Sequence, residues 1–250
     1  MNYSIVITTF DKRFDEFLVP LIKSIKHERP SVEIIVTANG SCRANFNENY
    51  RQTLLAFLAT QHNCFPTVFP NFQSLAKMWN RGILTASHER VLVLNDDLNI
   101  PTGAANGFFD QLEQALAVQP GTFKINGSFS HYVINKRDLI DVGFFDERLL
   151  GLGEEDGDFY WRYREKFDQE ILSIELPDID NICSDIADDG YTKGIRTAAK
   201  FNRDYIKNVK YKEVLIGGYR GMFDKRVKKQ VADEPQYPYE TFYRLHKDKV

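Results

Sequence analysis

The chain has 250 residues, is 43% hydrophobic and carries a formal net charge of -3 at pH 7. That length and apolar content support one sizeable core, and the slightly acidic balance gives no global attraction to nucleic acid, so nucleic acid is not an expected partner. No run of about 18 apolar residues occurs, and the opening Met-Asn-Tyr-Ser-Ile-Val lacks the basic n-region and cleavage site of a secretory signal, so a cytoplasmic protein is expected. Cys42, Cys64 and Cys183 are far apart and odd in number, a pattern of reduced structural thiols rather than a disulfide framework or a thiolate zinc site.

Short β-branched apolar runs at Tyr3 to Thr9, Val32 to Thr37, Thr67 to Phe69 and Arg90 to Leu94 read as strands. Between them, Phe14 to Lys26, Tyr50 to Leu58, Ser74 to Ala86 and Ala104 to Val118 carry apolar residues at helical spacing. A strand-helix-strand series of this kind implies right-handed crossovers and a mainly parallel α/β sheet covered on both faces. Ligands of such sheets bind outside the carboxyl ends of the strands, which singles out the loops at Thr8 to Asp11, Ala38 to Cys42 and Asn95 to Asn99. After Gly121 the pattern is less regular: a strand around Ser130 to Ile134, a Gly-Phe-Phe-Asp-Glu segment and an acidic helix start at Glu154. The expected division is a domain over residues 1–195 and a helical, basic and aromatic C-terminal extension over residues 196–250.

Two acidic sites carry the chemistry. Val91-Leu92-Val93-Leu94-Asn95-Asp96-Asp97 is a buried-type strand ending in adjacent carboxylates, and hard oxygen ligands there suit Mg²⁺ or Mn²⁺ bridging a diphosphate. The same residues would also serve as a solvated capping turn. Gly151 to Arg162 places Glu154, Glu155, Asp156 and Asp158 at the start of an aromatic helix. Such acids favour the helix dipole. Four of them crowd one another, which raises at least one pKa, a property suited to a general base. The glycines here do not follow a strand of the type a dinucleotide-binding loop needs.

Both sites, in this order, resemble the family 2 glycosyltransferases of the GT-A fold, with a Rossmann-like, mainly parallel sheet flanked by helices. The resemblance covers roughly residues 3 to 165. Ser4 to Phe10 is similar to the opening strand, Ile34 to Ser41 to the second strand and nucleotide-contacting turn, and Ser74 to Ile83 to the helix beside base and ribose. Leu94-Asn95-Asp96-Asp97 resembles the DxD-type metal motif, and Gly143 to Glu147 followed by Glu155-Asp156 resembles the acceptor-side segment. The resemblance implies that Thr8, Phe10 and Asn39 line the nucleoside pocket with Lys77 nearby. It further implies Asp97 as metal ligand, Asp96 at the ribose or donor sugar, Asp156 as catalytic base with Glu155 competing, and Trp161 and Arg162 near the acceptor or the phosphates. The implied reaction is metal-dependent, inverting transfer from a nucleotide-sugar, a UDP-sugar by family frequency, to a glycan or lipid-linked glycan acceptor, as in polysaccharide biosynthesis.

Ala38 departs from the pattern, standing where relatives carry an acidic residue that bonds the base, and Asp11 replaces a common Asn. In place of a late His ligand, Ile179 to Asp189 offers Asp180, Asp185, Asp188 and Asp189. A catalytically silent nucleotide- or carbohydrate-binding protein of the same fold is the rival reading. A nucleotidyltransferase lacks its phosphate loop here. Between Lys200 and Lys229, ten Lys or Arg face three acids among interleaved aromatics; this stretch reads as a solvated face, a patch for peripheral contact with anionic lipid, or contacts to an anionic or polymeric acceptor.

Overall fold

The computed structural model describes residues 2–40, 47–182 and 191–211. These divide into two compact units: Met1–Phe72, Met78–Asp141 and Ile171–Asp185 in the first, Gln73–Lys77, Val142–Glu170 and Ile186–Val250 in the second.

The first unit is built on β1 (Ser4–Phe10), α1 (Val19–Glu28), β2 (Glu33–Asn39), α2 (Glu48–Ala59), β3 (Cys64–Val68), α3 (Leu75–Thr85, its first turn counted with the second unit) and β4 (Arg90–Asn95). Then follow β5 (Leu98–Asn99), α4 (Phe108–Val118), β6 (Phe123–Ile125), β7 (Ser128–Asn135) and α5 (Lys136–Val142). The order β3-β2-β1-β4-β7-β6-β8 makes a seven-stranded sheet, β8 being Leu172–Ile174. Strands β3, β2, β1 and β4 run parallel, β7 is antiparallel to both its neighbours, and β6 pairs parallel with β8. The expected α/β class with a mainly parallel, helix-flanked sheet is what the chain adopts. Strands β1, β2 and β4 are apolar almost throughout because both faces are covered: Ile5, Ile7, Ile34, Val36, Leu92 and Leu94 join one cluster with Leu21, Ile22 and Ile25 of α1 and Leu54 and Leu58 of α2.

Several elements differ from the sequence reading. Strand β3 starts at Cys64 and contains Pro66, tolerated because β3 is the edge of the sheet. The helix expected from Phe14 is preceded by a 3-10 turn (Asp11–Arg13) and opens as a five-residue π-turn (Phe14–Leu18), where Val19 N–H bonds the Phe14 carbonyl; regular α-helix begins beside Pro20. The β6–β7 hairpin turns on Asn126 and Gly127, at φ of +50° and +74°, the left-handed pair that a two-residue hairpin loop demands.

The second unit contains α6 (Glu155–Phe167) and α7 (Tyr191–Tyr205), which ends in a π-turn (Ile206–Lys210). The described part of the expected C-terminal extension is therefore helical. It packs through Tyr205, Ile206 and Tyr211 against Leu149 and Trp161 in one apolar cluster. Residues 212–250, with most of the basic stretch, lie outside the described residues, as do Cys42 and Cys183; Cys64 is a free, half-buried thiol. Among the described residues no helix is long and apolar enough to cross a membrane.

Candidate active site

Parallel register brings the loops of interest to one edge of the sheet. Thr8 lies opposite Asn95 of β4 and Thr37 of β2, and Phe10 lies opposite Asn39, so the carboxyl ends of three strands align Thr8, Phe10, Asn39, Asp96 and Asp97. Thr8, Asn39 and Asp96 are buried. Backbone pairing fixes the acid pair from behind: Ile182 N–H donates to the Asp97 carbonyl at 2.8 Å, and β5 pairs with β9 (Asp180–Asn181). Asp180 is thus an exposed strand residue, and Asp185, Asp188 and Asp189 lie outside the described residues.

The sequence reading missed Arg13. Its guanidinium forks the two acids, Nη1 donating to Asp96 Oδ1 at 2.5 Å and Nη2 to Asp97 Oδ2 at 3.0 Å, and it lies 5.2 Å from the ring centres of both Phe10 and Phe17. Burial pushes the Asp96 carboxyl up to about 6 against the opposing pull of Arg13. The fork leaves Asp96 Oδ2 and Asp97 Oδ1 buried with no hydrogen-bond partner, and Tyr50 Oη and His131 Nε2 in the same state. Burial, with Asp96 and Asp11 close by, pushes the Tyr50 phenol up. His131 lies opposite Leu94; burial lowers its imidazole while Asp97 pulls the other way. Among the described residues no group of three or more His, Cys, Asp or Glu side chains could hold a metal. Two unpartnered carboxylate oxygens still fit a cation of the Mg²⁺ or Mn²⁺ kind, which is commonly held by one or two carboxylates with substrate phosphates and water completing the shell. Asp96 and Asp97 are the residues that would hold it.

In the second unit, the loop before α6 carries left-handed backbone at Gly151, Gly153 and, unusually for a larger residue, Glu154 at φ +78°. A Cβ on Gly153 would meet Ala199 at 3.0 Å. Asn202 of α7 pins this loop, bonding Leu150 through both its amide groups and the Gly153 carbonyl at 2.7 Å. Glu155 is buried and accepts from Gly153 N–H at 2.6 Å, whereas Asp156 is half-buried and accepts from Gly157 N–H at 2.7 Å. Burial, with the Asp156 charge adding to it, pushes Glu155 up to about 8; burial pushes Glu154 to about 7, against Arg203. Of the four adjacent acids, Glu154 and Glu155 are thus held toward the neutral form, chiefly by burial, while Asp158 is held below the usual carboxylate range by its neighbouring cations.

This has a consequence for stability. Glu155 is proton-bound in the folded chain up to about 8 and ionises near 4.5 when unfolded, so its contribution is fully present below that lower value and is lost as pH rises between the two. Glu155→Gln should gain on the wild type by about 3–4 kcal/mol between pH 5 and pH 8. Urea unfolding at several pH values measures this, and a constant difference would rule out a buried neutral carboxyl.

A family model, "Glycosyl transferase family 2", matches residues 4–184. The chain belongs to this family. No curated protein sequence matches it significantly. Among solved structures it resembles S. aureus TarS, at 14% identity and a TM-score of 0.51 over 70% of this chain and 35% of TarS. A mycobacterial protein aligns at 14% identity and 0.53, over 80% and 74% of the two chains. The mannosyltransferase PcManGT from Pyrobaculum calidifontis, in complex with GDP-Man and Mn²⁺, aligns at 11% and 0.51, over 78% and 61%. Likeness at such identities is likeness of fold, and the chain spans about a third of TarS.

Within this family 2 chain, the residues expected at the donor fall in two groups. Thr8, Phe10, Asn39, Asp96 and Asp97 share the carboxyl edge of the first unit, while Lys77 is counted with the second, half-buried in the first turn of α3, where its N–H donates to the capping Ser74 hydroxyl at 3.2 Å. Glu155, Asp156, Trp161 and Arg162 share α6. Trp161 is buried edge-to-face on Tyr211 at 5.0 Å. Arg162 donates to the carbonyls of Val142, Gly143 and Phe144 and to Asp158. In this structure Trp161 serves as core and Arg162 as a clamp on the chain leaving α5.

Proposed function

We propose that the protein transfers a sugar from a nucleoside-diphosphate sugar, with UDP the first nucleotide to try, to a hydroxyl of a glycan or glycolipid acceptor, with inversion at the anomeric carbon. The observation that carries the proposal is the pair of adjacent carboxylates at the end of β4 with one unpartnered buried oxygen each. A bound Mg²⁺ or Mn²⁺ would supply neutralisation of the leaving diphosphate. The chain's own residues do the rest. Thr8, Phe10 and Asn39 at the ends of β1 and β2 receive the nucleoside, Asp96 receives a ribose or sugar hydroxyl, and Asp156 takes the proton from the acceptor hydroxyl as it attacks. In-line attack requires base and leaving group on opposite faces of the reacting carbon. Family membership and a fold shared with structures solved with UDP and with GDP-Man and Mn²⁺ support this reading. We further place the protein in the cytoplasm, with its acceptor in a polysaccharide or at a membrane surface reached by the basic C-terminal stretch.

A thermal-shift panel of UDP, GDP, CDP, dTDP and ADP, each with Mn²⁺, Mg²⁺ or EDTA, tests the donor site. A ligand at a hundred times its dissociation constant adds about 2.7 kcal/mol. One diphosphate should stabilise the wild type only with metal, and Asp97→Asn should abolish the shift. No response to any nucleotide would favour the silent binding protein.

A further inference from the structure

We propose that Arg13 is a two-state ligand of the donor site: it is the counter-ion of Asp96 and Asp97 while no divalent cation is bound, and its guanidinium passes to the diphosphate when the cation takes the two carboxylates. The proposal rests on the donor-site reading above and assigns a residue to which that reading gives no part.

Three observations carry it. The first is competition for the same atoms. Arg13 bonds one oxygen of each acid, at 2.5 and 3.0 Å, and a cation held by the same two carboxylates would lie beside a guanidinium of like charge. One positive charge on two carboxylates is also half of what a divalent ion brings, and Asp96 sits at 1% exposure with Oδ2 unpartnered. The stronger cation therefore displaces the weaker one.

The second is that the guanidinium has somewhere to go. Its Nε is buried with no hydrogen-bond partner, so the fork is not saturated by the acids. A planar fork that fits carboxylates fits phosphate oxygens equally well, two bonds at a time. Its rings, Phe10 and Phe17 at 5.2 Å each, keep it at the strand edge whichever anion it bonds.

The third is the backbone that carries it. Arg13 ends a three-residue 3-10 turn and is followed by a five-residue π-turn before α1 begins. Both are short departures from α geometry, and a π-turn is a feature frequently found at functional sites.

The test is a titration of Mn²⁺ into wild type, Arg13→Met and Arg13→Lys with no nucleotide present, reading free Mn²⁺ by its paramagnetic resonance signal. Arg13→Met should bind Mn²⁺ about tenfold tighter than wild type, with Arg13→Lys, which keeps the charge but not the fork, between them. At saturating Mn²⁺, Arg13→Met should bind UDP, or the diphosphate selected by the thermal panel, about tenfold more weakly. A second measurement needs no variant: the side-chain nitrogen resonances of Arg13 in the wild-type chain should shift on adding Mg²⁺ and shift again on adding the diphosphate. Equal or weaker Mn²⁺ binding by Arg13→Met, or Arg13 resonances unmoved at saturating Mg²⁺, would overturn the proposal while leaving the donor site standing. Wild type that takes neither metal nor any nucleoside diphosphate would overturn the donor-site reading and this one with it.

Discussion

Asp156→Asn is expected to lower kcat by about 10²–10⁴-fold, the usual worth of a positioned general base, with nucleoside-diphosphate affinity unchanged. The argument is one of access. Glu155 and Asp156 are neighbours on the first turn of α6, but Glu155 is buried and turned back onto Gly153 N–H at 2.6 Å, with burial holding its proton up to about 8. Such a group gives structure to the loop and cannot meet an acceptor hydroxyl without leaving its place. Asp156 is half-buried rather than buried and accepts from Gly157 N–H within its own helix, so the pair differ in access to solvent. Glu155→Gln keeps the shape and the bond to Gly153, and its kcat should stay within about tenfold of wild type. Steady-state kinetics on both variants, with diphosphate binding measured separately, decides between the two acids. A collapse of kcat in Glu155→Gln with Asp156→Asn active would reverse the assignment.

How much of this was legible in the sequence depends on the range of the interaction. Strands β1, β2 and β4 announced themselves because burial on both faces makes them continuous apolar runs. The edge strand β3 was read only at its end, from Thr67, because its exposure admits Pro66 and polar residues before that. The acid pair was readable as a motif, since Asp96 and Asp97 end such a run directly. Asn126-Gly127 is a hairpin signal present in the sequence, and reading it would have found β6 as well as β7. By contrast Arg13 lies 83 residues from Asp96, and nothing in Asp11-Lys12-Arg13 separates it from any solvated basic residue. The left-handed Glu154 was hidden for another reason: it follows a loop held by Asn202, which bonds Leu150 and Gly153 from a helix about fifty residues later in the chain. The basic C-terminal stretch misled in part, because composition cannot tell an exposed Lys from Lys210, which is 2% exposed.

That lysine belongs to the cluster where the largest change in stability is expected. Lys210 Nζ lies 2.6 Å from Asp146 Oδ2 and 2.8 Å from Asp158 Oδ2, all three side chains at 2% exposure or less. Arg148 bonds Asp146, Arg162 bonds Asp158 at 2.9 Å, and the Tyr211 hydroxyl donates to Asp158 at 2.8 Å. Three cations thus surround two carboxylates, and despite burial the Lys210 charge and the neighbouring guanidiniums hold both acids below the usual carboxylate range. Asp158→Asn leaves three cations facing one carboxylate and should cost about 3–5 kcal/mol, the penalty of an uncompensated buried charge. Lys210→Met leaves one arginine for each acid and should cost less, about 1–3 kcal/mol. The depressed carboxylates add a sign: their contribution is present above the ordinary carboxylate range and is lost as pH falls through the depressed values, so the Asp158→Asn deficit should shrink in acid. Because Asp158 stands two residues after Asp156, the same cluster holds the first turn of α6 in place, and its loss should lower kcat along with stability. Urea unfolding of the two variants is the measurement. If Lys210→Met proves the more damaging, the carboxylates rather than the cations are the charges in excess, and the cluster's ionisation has to be reassigned.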